Sequence, residues 1–263
     1  MTTGMVSPSQ LRDILAQHRL WLESDEAEGS RAVLTGANLG RAELQGALLS
    51  RAEMRETILS GARLQEAQLQ GAQLDRARLY EANFRGANLT GATLAGAAMQ
   101  RAILKEALLC HACITPADLE LADLTSADLT GANLKKVNLA GANLTSAVLR
   151  RAQIGGARLS DANLTNADLT EAQAAGIDCR EANLTQAVLA RGNFRRAKFK
   201  NADLVQVDLR GTDLQKANLQ EADLYKAQFE GADLRGTDLR RAVGFTTRSL
   251  GNAVTDETTK IRD

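Results

Sequence analysis

The chain has 263 residues with 32 basic and 32 acidic side chains, and this formal charge of zero indicates neither nucleic acid nor a basic protein as a partner. Aromatic residues make up only 3% of the sequence, too few to recognise single-stranded nucleic acid by stacking. No run of about 18 apolar residues predicts a membrane span, and the first ten residues lack a secretory signal pattern, so we expect a cytoplasmic protein.

The first predicted element is a helix over residues 8–22 that covers the N-terminal end of the core. Ser7 suits the N-cap position, Pro8 the first helical position, and Gln10 completes a capping box. We assign residues 1–30 to a capping helix and connector, with capping roles for Ser7, Leu11, Ile14, Leu15 and Trp21. A small binding site at His18 and Trp21 is the less favoured alternative.

From Ala32 to Ala242 the sequence repeats every five residues without an insertion or a deletion. There are 42 units, with Leu at 32 of the central positions and Ala at 35 of the positions two residues earlier. In an α-helix successive centres would step about 140° around the axis and share no face. In an extended chain the two positions lie on the same side, and the remaining two residues of each unit suit a turn.

Four such units, each followed by a right-angle turn, close a square coil of twenty residues. Coils that stack at about 4.8 Å make a rod on the order of 50 Å long from residues 31–242. Inside it, Leu fills the interior and Ala leaves room for it. The pattern Ala-(Asp/Asn)-Leu-x-x, as in Ala162–Leu169, resembles the pentapeptide-repeat family. That resemblance implies an all-β fold, a right-handed quadrilateral β-helix.

Two segments depart from the pattern. Cys110-His111-Ala112-Cys113 has a spacing seen in metal and redox sites, but no second Cys or His cluster accompanies it. We therefore expect a surface irregularity there and no metal or cofactor. In Ala174–Cys179 two central positions shrink while Ile177 enlarges an Ala position. An exchange of volume that leaves a soft spot or small cavity explains this best, and a functional bulge is the alternative.

Residues 243–263 lose the five-residue phase and are expected to form a C-terminal cap around Phe245, or a contact between two copies. The resemblance to the pentapeptide-repeat family favours neither, although some members form homodimers through this end. Nothing in the residues themselves decides between the two.

The twenty-residue coil sorts the surface into columns. Asn and Asp occupy two faces, where we expect hydrogen bonds between coils. One corner in the C-terminal half is basic and lacks acids, and its bases are Lys135, Lys136, Arg195, Arg196, Lys216 and Arg235. This basic edge is a candidate interaction surface for an acidic partner or a phosphate backbone, although a solvated edge is the simpler interpretation.

No nucleophile, base and orienting group can be assembled from these residues, so we predict that the protein is not an enzyme. A filled rod without a cleft favours a rigid scaffold that presents a flat surface to a protein partner, with no direct contact to nucleic acid or membrane. The resemblance suggests an alternative, imitation of duplex DNA that binds gyrase and protects it from quinolones or toxins. That role needs a strongly acidic surface, which a neutral chain with a basic edge does not indicate.

Replacement of Leu134 with Ala in the middle of the rod should lower the free energy of unfolding by ~2–5 kcal/mol, because it leaves a cavity. Leu134→Asp should cost more, since its charge would be buried without a partner. Denaturant titration of the two variants checks the order, and an unchanged midpoint for Leu134→Ala would place this position outside the core.

Overall fold

The computed structural model describes residues 6–246 and 248–261. It consists of one helix, α1 (Pro8–Glu23), followed by a right-handed quadrilateral β-helix, which confirms the predicted fold. Each five-residue unit contributes one parallel bridge at its outward residue. Bridged residues are 20 apart from Val33–Glu53 to Asp223–Val243, so four units complete a coil. Units that are 20 residues apart stack into one face of the rod. Face 1 contains the unit of Leu34 and those stacked on it, face 2 that of Leu39, face 3 that of Leu44 and face 4 that of Leu49.

The interior of the coils is filled by the side chains that the period places there. All 42 central side chains are buried, and the small side chains two residues before them are buried from Ala52 onward. Thr57, Thr212 and Thr237 take the place of Ala, and each hydroxyl donates a hydrogen bond to a backbone carbonyl 23 residues earlier. The polar atom of each buried threonine is therefore satisfied inside the core.

Backbone hydrogen bonds explain why the period is five. In the unit Ala162–Asn166, Asn163 donates to the coil before it, while Leu164 and Asn166 donate to the coil after it. Ala162 donates to the carbonyl three residues earlier and closes the corner. Four of the five N–H groups thus have backbone partners, and the fifth, on the first corner residue Thr165, has none.

The Asn and Asp side chains satisfy this fifth N–H group. The Asn163 Oδ1 atom accepts from the Thr165 N–H at 3.0 Å, and the equivalent bond forms in half of the 42 units. The expected bonds between coils are a minority, such as that from Asn138 to Asp118. The prediction that these side chains bond mainly between coils was wrong, because each Asn or Asp oxygen lies within reach of the unpaired corner N–H two residues later in the same coil.

The second residue of nearly every corner has a positive φ, close to +60°, whether or not it is glycine. This value and the hydrogen bond that closes the corner are those of a type II turn. Lys136, Arg196 and Lys216 of the basic edge adopt this conformation. Pro116 has no N–H for the usual bond to the next coil, and the Thr115 hydroxyl donates to the Lys135 carbonyl instead, at 2.5 Å.

The N-terminal end of the rod is closed by His18, which is completely buried. The Ala32 N–H donates to its Nδ1 atom at 3.0 Å, so the proton of the neutral ring is on Nε2, which donates to the Ser50 carbonyl at 3.1 Å. In later coils these two backbone groups are paired with other backbone groups. The side chain of His18 therefore supplies both partners that a preceding coil would have supplied.

Helix α1 holds His18 in this place. Ser7 and Gln10 form the capping box, and Leu11, Ile14 and Leu15 are half-buried against the core. Trp21 stacks on the His18 ring with centroids 5.5 Å apart, and the Arg51 guanidinium covers its ring. A Cβ atom on Gly29 would come within 2.2 Å of the Gln17 carbonyl oxygen, so the connector closely approaches the helix.

The winding continues past Ala242 with a changed spacing. Val254 bridges to Asp233 and Lys260 to Asp238, which are 21 and 22 residues apart. Leu250 is buried, and Phe245 is half-buried against the core. Val254 and Lys260 thus extend faces 1 and 2 beyond the last regular coil.

The segment Ala174–Cys179 keeps the regular backbone hydrogen bonds and forms no bulge. Phe194 and Phe199 occupy the equivalent positions in the next coil, with ring centroids 6.0 Å apart. Both rings are buried. Large side chains in one coil thus stand beside the small ones in the coil below, and the volume exchange extends over two coils.

The cap should respond to acid through His18. Burial, with smaller contributions from Arg31 and Arg51, lowers its pKa below 6.5, while the bond to Ser50 opposes this. Below about pH 6.5 the unfolded chain binds the proton first, so stability should fall with pH until the lower folded pKa is reached. Trp21, the only tryptophan, reports the change by fluorescence.

The matched variant for this measurement is His18→Asn, whose side-chain oxygen can accept from Ala32 but does not titrate. Its Trp21 emission should show no transition between about pH 6.5 and pH 5. Carboxylates with lowered pKa values, such as Asp168, titrate at lower pH. An identical transition in both proteins would contradict the assignment to His18.

Gly192 makes room for Phe194, because a Cβ atom there would lie 2.5 Å from the Phe194 Cε2 atom. Gly192→Ala should therefore lower the free energy of unfolding by about 1–3 kcal/mol. Adding Phe194→Leu should restore part of the loss. Denaturant titration of both single variants and the double variant measures this coupling, and additive losses would refute the contact.

Candidate interaction surface

The basic edge lies along the corner between faces 1 and 2. Its six bases are exposed, and they stand in two groups separated by Gly155-Gly156 and Ala175-Gly176. Lys135 and Lys136 form one group, and the others belong to the last three coils. At about 4.8 Å per coil, roughly 14 Å separates Lys135 from Arg195.

Two of the six bases are paired with aspartates of face 1. Arg235 forms a two-pronged contact with Asp233, and Arg195 lies 3.2 Å from Asp213. The pairing lowers the pKa of Asp233, through its bonds with Arg235 first. Within residues 6–246 and 248–261, no ion pair engages Lys135, Lys136, Arg196 or Lys216. These four cations remain open to a partner.

The basic edge belongs to a wider surface. The basic face is formed by face 2 and its two corners in the C-terminal half, which comprise residues 134–141, 154–161, 174–181, 194–201, 214–221 and 234–241. It has twelve Lys and Arg against five Asp and Glu, a net charge of +7 in a chain of zero net charge. The opposite face 4 and its corners, over residues 144–151, 164–171, 184–191, 204–211 and 224–231, have five bases and four acids.

Half of the twelve bases on this face lie outside the single corner column in which the basic edge was predicted. Lys198 lies in the middle of face 2, and Lys200, Arg240 and Arg241 lie on the corner between faces 2 and 3. Sorting every column by the twenty-residue coil would have found them.

Acidic residues are not continuous on any face. On face 3, Asp123 is separated from Asp203 and Asp223 by three asparagines. On face 4, aspartate alternates with Val148 and Val188. Many carboxylates are also paired with cations: Arg150 contacts Asp168, Arg210 contacts Asp208, and both Arg180 and Lys198 contact Asp178.

The Cys110–Cys113 corner has no reactive thiolate at Cys110. Burial, together with a hydrogen bond to Asp128, raises the pKa of the Cys110 thiol to about 11. The His111 ring lies over Gly131. Across the part of the chain that the structure describes, no three His, Cys, Asp or Glu side chains are grouped so as to hold a metal ion. Complete burial raises the pKa of Cys179.

The two largest of the depressions described lie at the N-terminal end and on one corner of the rod. A groove of about 560 Å³ runs between α1 and the first coil, lined mainly by apolar side chains such as Leu11, Leu15 and Leu39. Another of about 490 Å³ lies on the corner between faces 4 and 1, where Glu171 contacts both Arg151 and Arg191. The described helix is neither long nor apolar enough to cross a membrane.

The chain matches the family model for pentapeptide repeats in eight copies: residues 30–65, 67–105, 87–125, 102–141, 122–161, 162–201, 177–215 and 202–241. No curated protein sequence matches it significantly. Among solved structures it is similar to HetL of the cyanobacterium Nostoc, a pentapeptide repeat protein involved in heterocyst differentiation regulation. The two are 33% identical over 83% of this chain and 93% of HetL, with a TM-score of 0.47.

Two further structures are similar. Rfr23, a pentapeptide repeat protein from the cyanobacterium Cyanothece, is 31% identical over 41% of this chain and 63% of its own, with a TM-score of 0.23. QnrB1, a plasmid-mediated fluoroquinolone resistance protein, is 16% identical over 87% of this chain and 92% of its own, with a TM-score of 0.33.

Proposed function

Because this chain belongs to the pentapeptide repeat family, we propose that it is a non-enzymatic, rigid interaction module whose outer faces bind a protein partner. The observation that carries the proposal is the filled interior, in which all 42 central side chains are buried. Small-molecule and catalytic sites are concave, whereas this rod offers long flat faces held in register by its backbone. Recognition therefore falls to the outward side chains.

The basic face supports the proposal most directly among the surfaces. It has a net charge of +7, and four bases of its edge have no ion pair within the described residues. A cationic surface on a rigid scaffold steers an acidic partner and fixes its orientation. We place the partner contact at Lys135, Lys136, Arg195, Arg196, Lys216 and Arg235.

Imitation of duplex DNA for gyrase binding has less support. The acidic positions are interrupted on faces 3 and 4, and many carboxylates are paired with arginines. A mimic of duplex DNA needs a negative surface, whereas the basic face of this rod has a net charge of +7.

Affinity capture from the native lysate tests the module. The wild-type protein should enrich a protein that Arg195→Glu/Arg196→Glu/Lys216→Glu loses, because the substitutions remove the attraction. The matched control is Arg41→Glu/Arg85→Glu/Arg101→Glu, which makes the same charge change on corners of the N-terminal half and should retain the partner.

Three other outcomes are informative. No enrichment over beads would contradict the interaction module. Enrichment that both triple variants retain would move the contact to another face. Capture of gyrase, retained by the basic-edge variant, would favour the alternative. Circular dichroism of the variants confirms that each is folded.

A further inference from the structure

Resting on the proposed function, we propose that the basic face binds a short, extended acidic polypeptide segment along the row Arg195–Lys200. This basic row consists of four residues of a single coil, which lie on face 2 and its two corners: Arg195, Arg196, Lys198 and Lys200. It has four bases within residues 194–201 and no acid. Phe194, before the row, and Phe199, between Lys198 and Lys200, are buried in the core.

The spacing of the row fits alternate side chains of an extended chain. Arg196, Lys198 and Lys200 occupy every second position, so their Cα atoms are about 6–7 Å apart. Carboxylates at every second position of an extended peptide repeat at the same distance. The backbone beneath the row is paired with the coils on both sides, so the cations are carried by a rigid support.

The present partners of the row can be displaced. Arg195 lies 3.2 Å from Asp213, Lys198 lies 3.6 Å from Asp178 and Lys200 lies 3.5 Å from Glu221. The three bases keep 44%, 55% and 42% of their side chains exposed. The pairs of Arg195 and Lys200 are partly exposed on both sides and contribute little to stability, so a carboxylate of a partner can share or replace them. Asp178 is buried and keeps Arg180 as a partner when Lys198 turns to another carboxylate.

One cation of the row and one beside it have no ion pair among the described residues. Neither Arg196 nor Lys216, which lies directly above it in the next coil, forms an ion pair within residues 6–246 and 248–261. Both can therefore contact a partner without first leaving an ion pair. In the coil before the row, Asp178 places a negative charge on face 2, so the positive surface ends on that side.

The extent of the cluster favours a peptide over duplex DNA. The last three coils span about 10 Å, whereas one turn of duplex measures about 34 Å and binding strengthens with each phosphate neutralised. Toward the N-terminus the row is followed by Asp178 and Glu181, which repel phosphate. A lipid surface would need apolar anchors, and no large apolar side chain is exposed on residues 194–201, 214–221 and 234–241.

Fluorescence anisotropy tests this with defined probes and the full chain. The probes are a labelled peptide of about ten residues with Glu and Ser alternating, a peptide with Gln in place of Glu, and a duplex of about ten base pairs. The Glu peptide should bind at least about tenfold more tightly than the Gln peptide and the duplex, and it should weaken between about 50 and 300 mM NaCl.

A matched pair of variants locates the site. Arg196→Glu should weaken binding of the Glu peptide about tenfold, whereas Arg101→Glu should leave it unchanged. Both residues are exposed, have φ of +58° and lack an ion pair in the described part of the chain, so a general effect on folding or net charge would appear in both.

Equal affinity for the Glu and Gln peptides, equal loss in the two variants, or tighter binding of the duplex would each overturn the inference. These results are separate from those of the capture experiment. A captured partner that does not depend on the basic row would overturn the acidic-segment proposal and leave the interaction module standing.

Discussion

The structure depends on hydrogen bonds between the backbone groups of successive coils, which join residues 19 or 21 apart in the chain. In a regular unit they take three of the five N–H groups, a fourth N–H closes the corner on a carbonyl three residues earlier, and an Asn or Asp side chain takes the fifth in half of the units. Because this assignment is tied to the position in the unit, one inserted residue would turn the following leucines outward and leave donors unpaired. Strict phase from Ala32 to Ala242 is the sequence expression of that constraint.

The same constraint makes the ends special. A coil with no predecessor has backbone groups without partners, and most solenoids cover them with a separate polar layer. Here a single imidazole does part of this work, since His18 accepts from Ala32 and donates to Ser50. It can do so only as a neutral ring with the proton on Nε2. The cap therefore depends on the protonation state of one side chain.

The sequence predicts the inward positions from its five-residue period, the N-terminal capping helix from Ser7, Pro8 and Gln10, and the handed, square fold from its resemblance to the pentapeptide-repeat family. It does not predict contacts between residues far apart, such as that of His18 with Ser50. Nor does it predict the left-handed conformation of Arg196, since residues other than glycine and asparagine seldom adopt it. The compensation of Ala174 by Phe194 appears only when coils are aligned. Likewise, Lys198 lies in the middle of face 2, outside the corner column in which the sequence indicates the basic edge.

The four-unit coil also determines how such a protein can change in length. A duplication of five residues between Lys136 and Arg195 would rotate every following face by a quarter turn and move Lys198 away from the side of the rod that carries Lys135 and Lys136. A duplication of twenty residues would add about 4.8 Å to the rod and return each column to its own side. Elongation by whole coils would thus preserve a recognition surface while shifting its distance from the N-terminal cap, so that the rod would act as a molecular ruler with a fixed step.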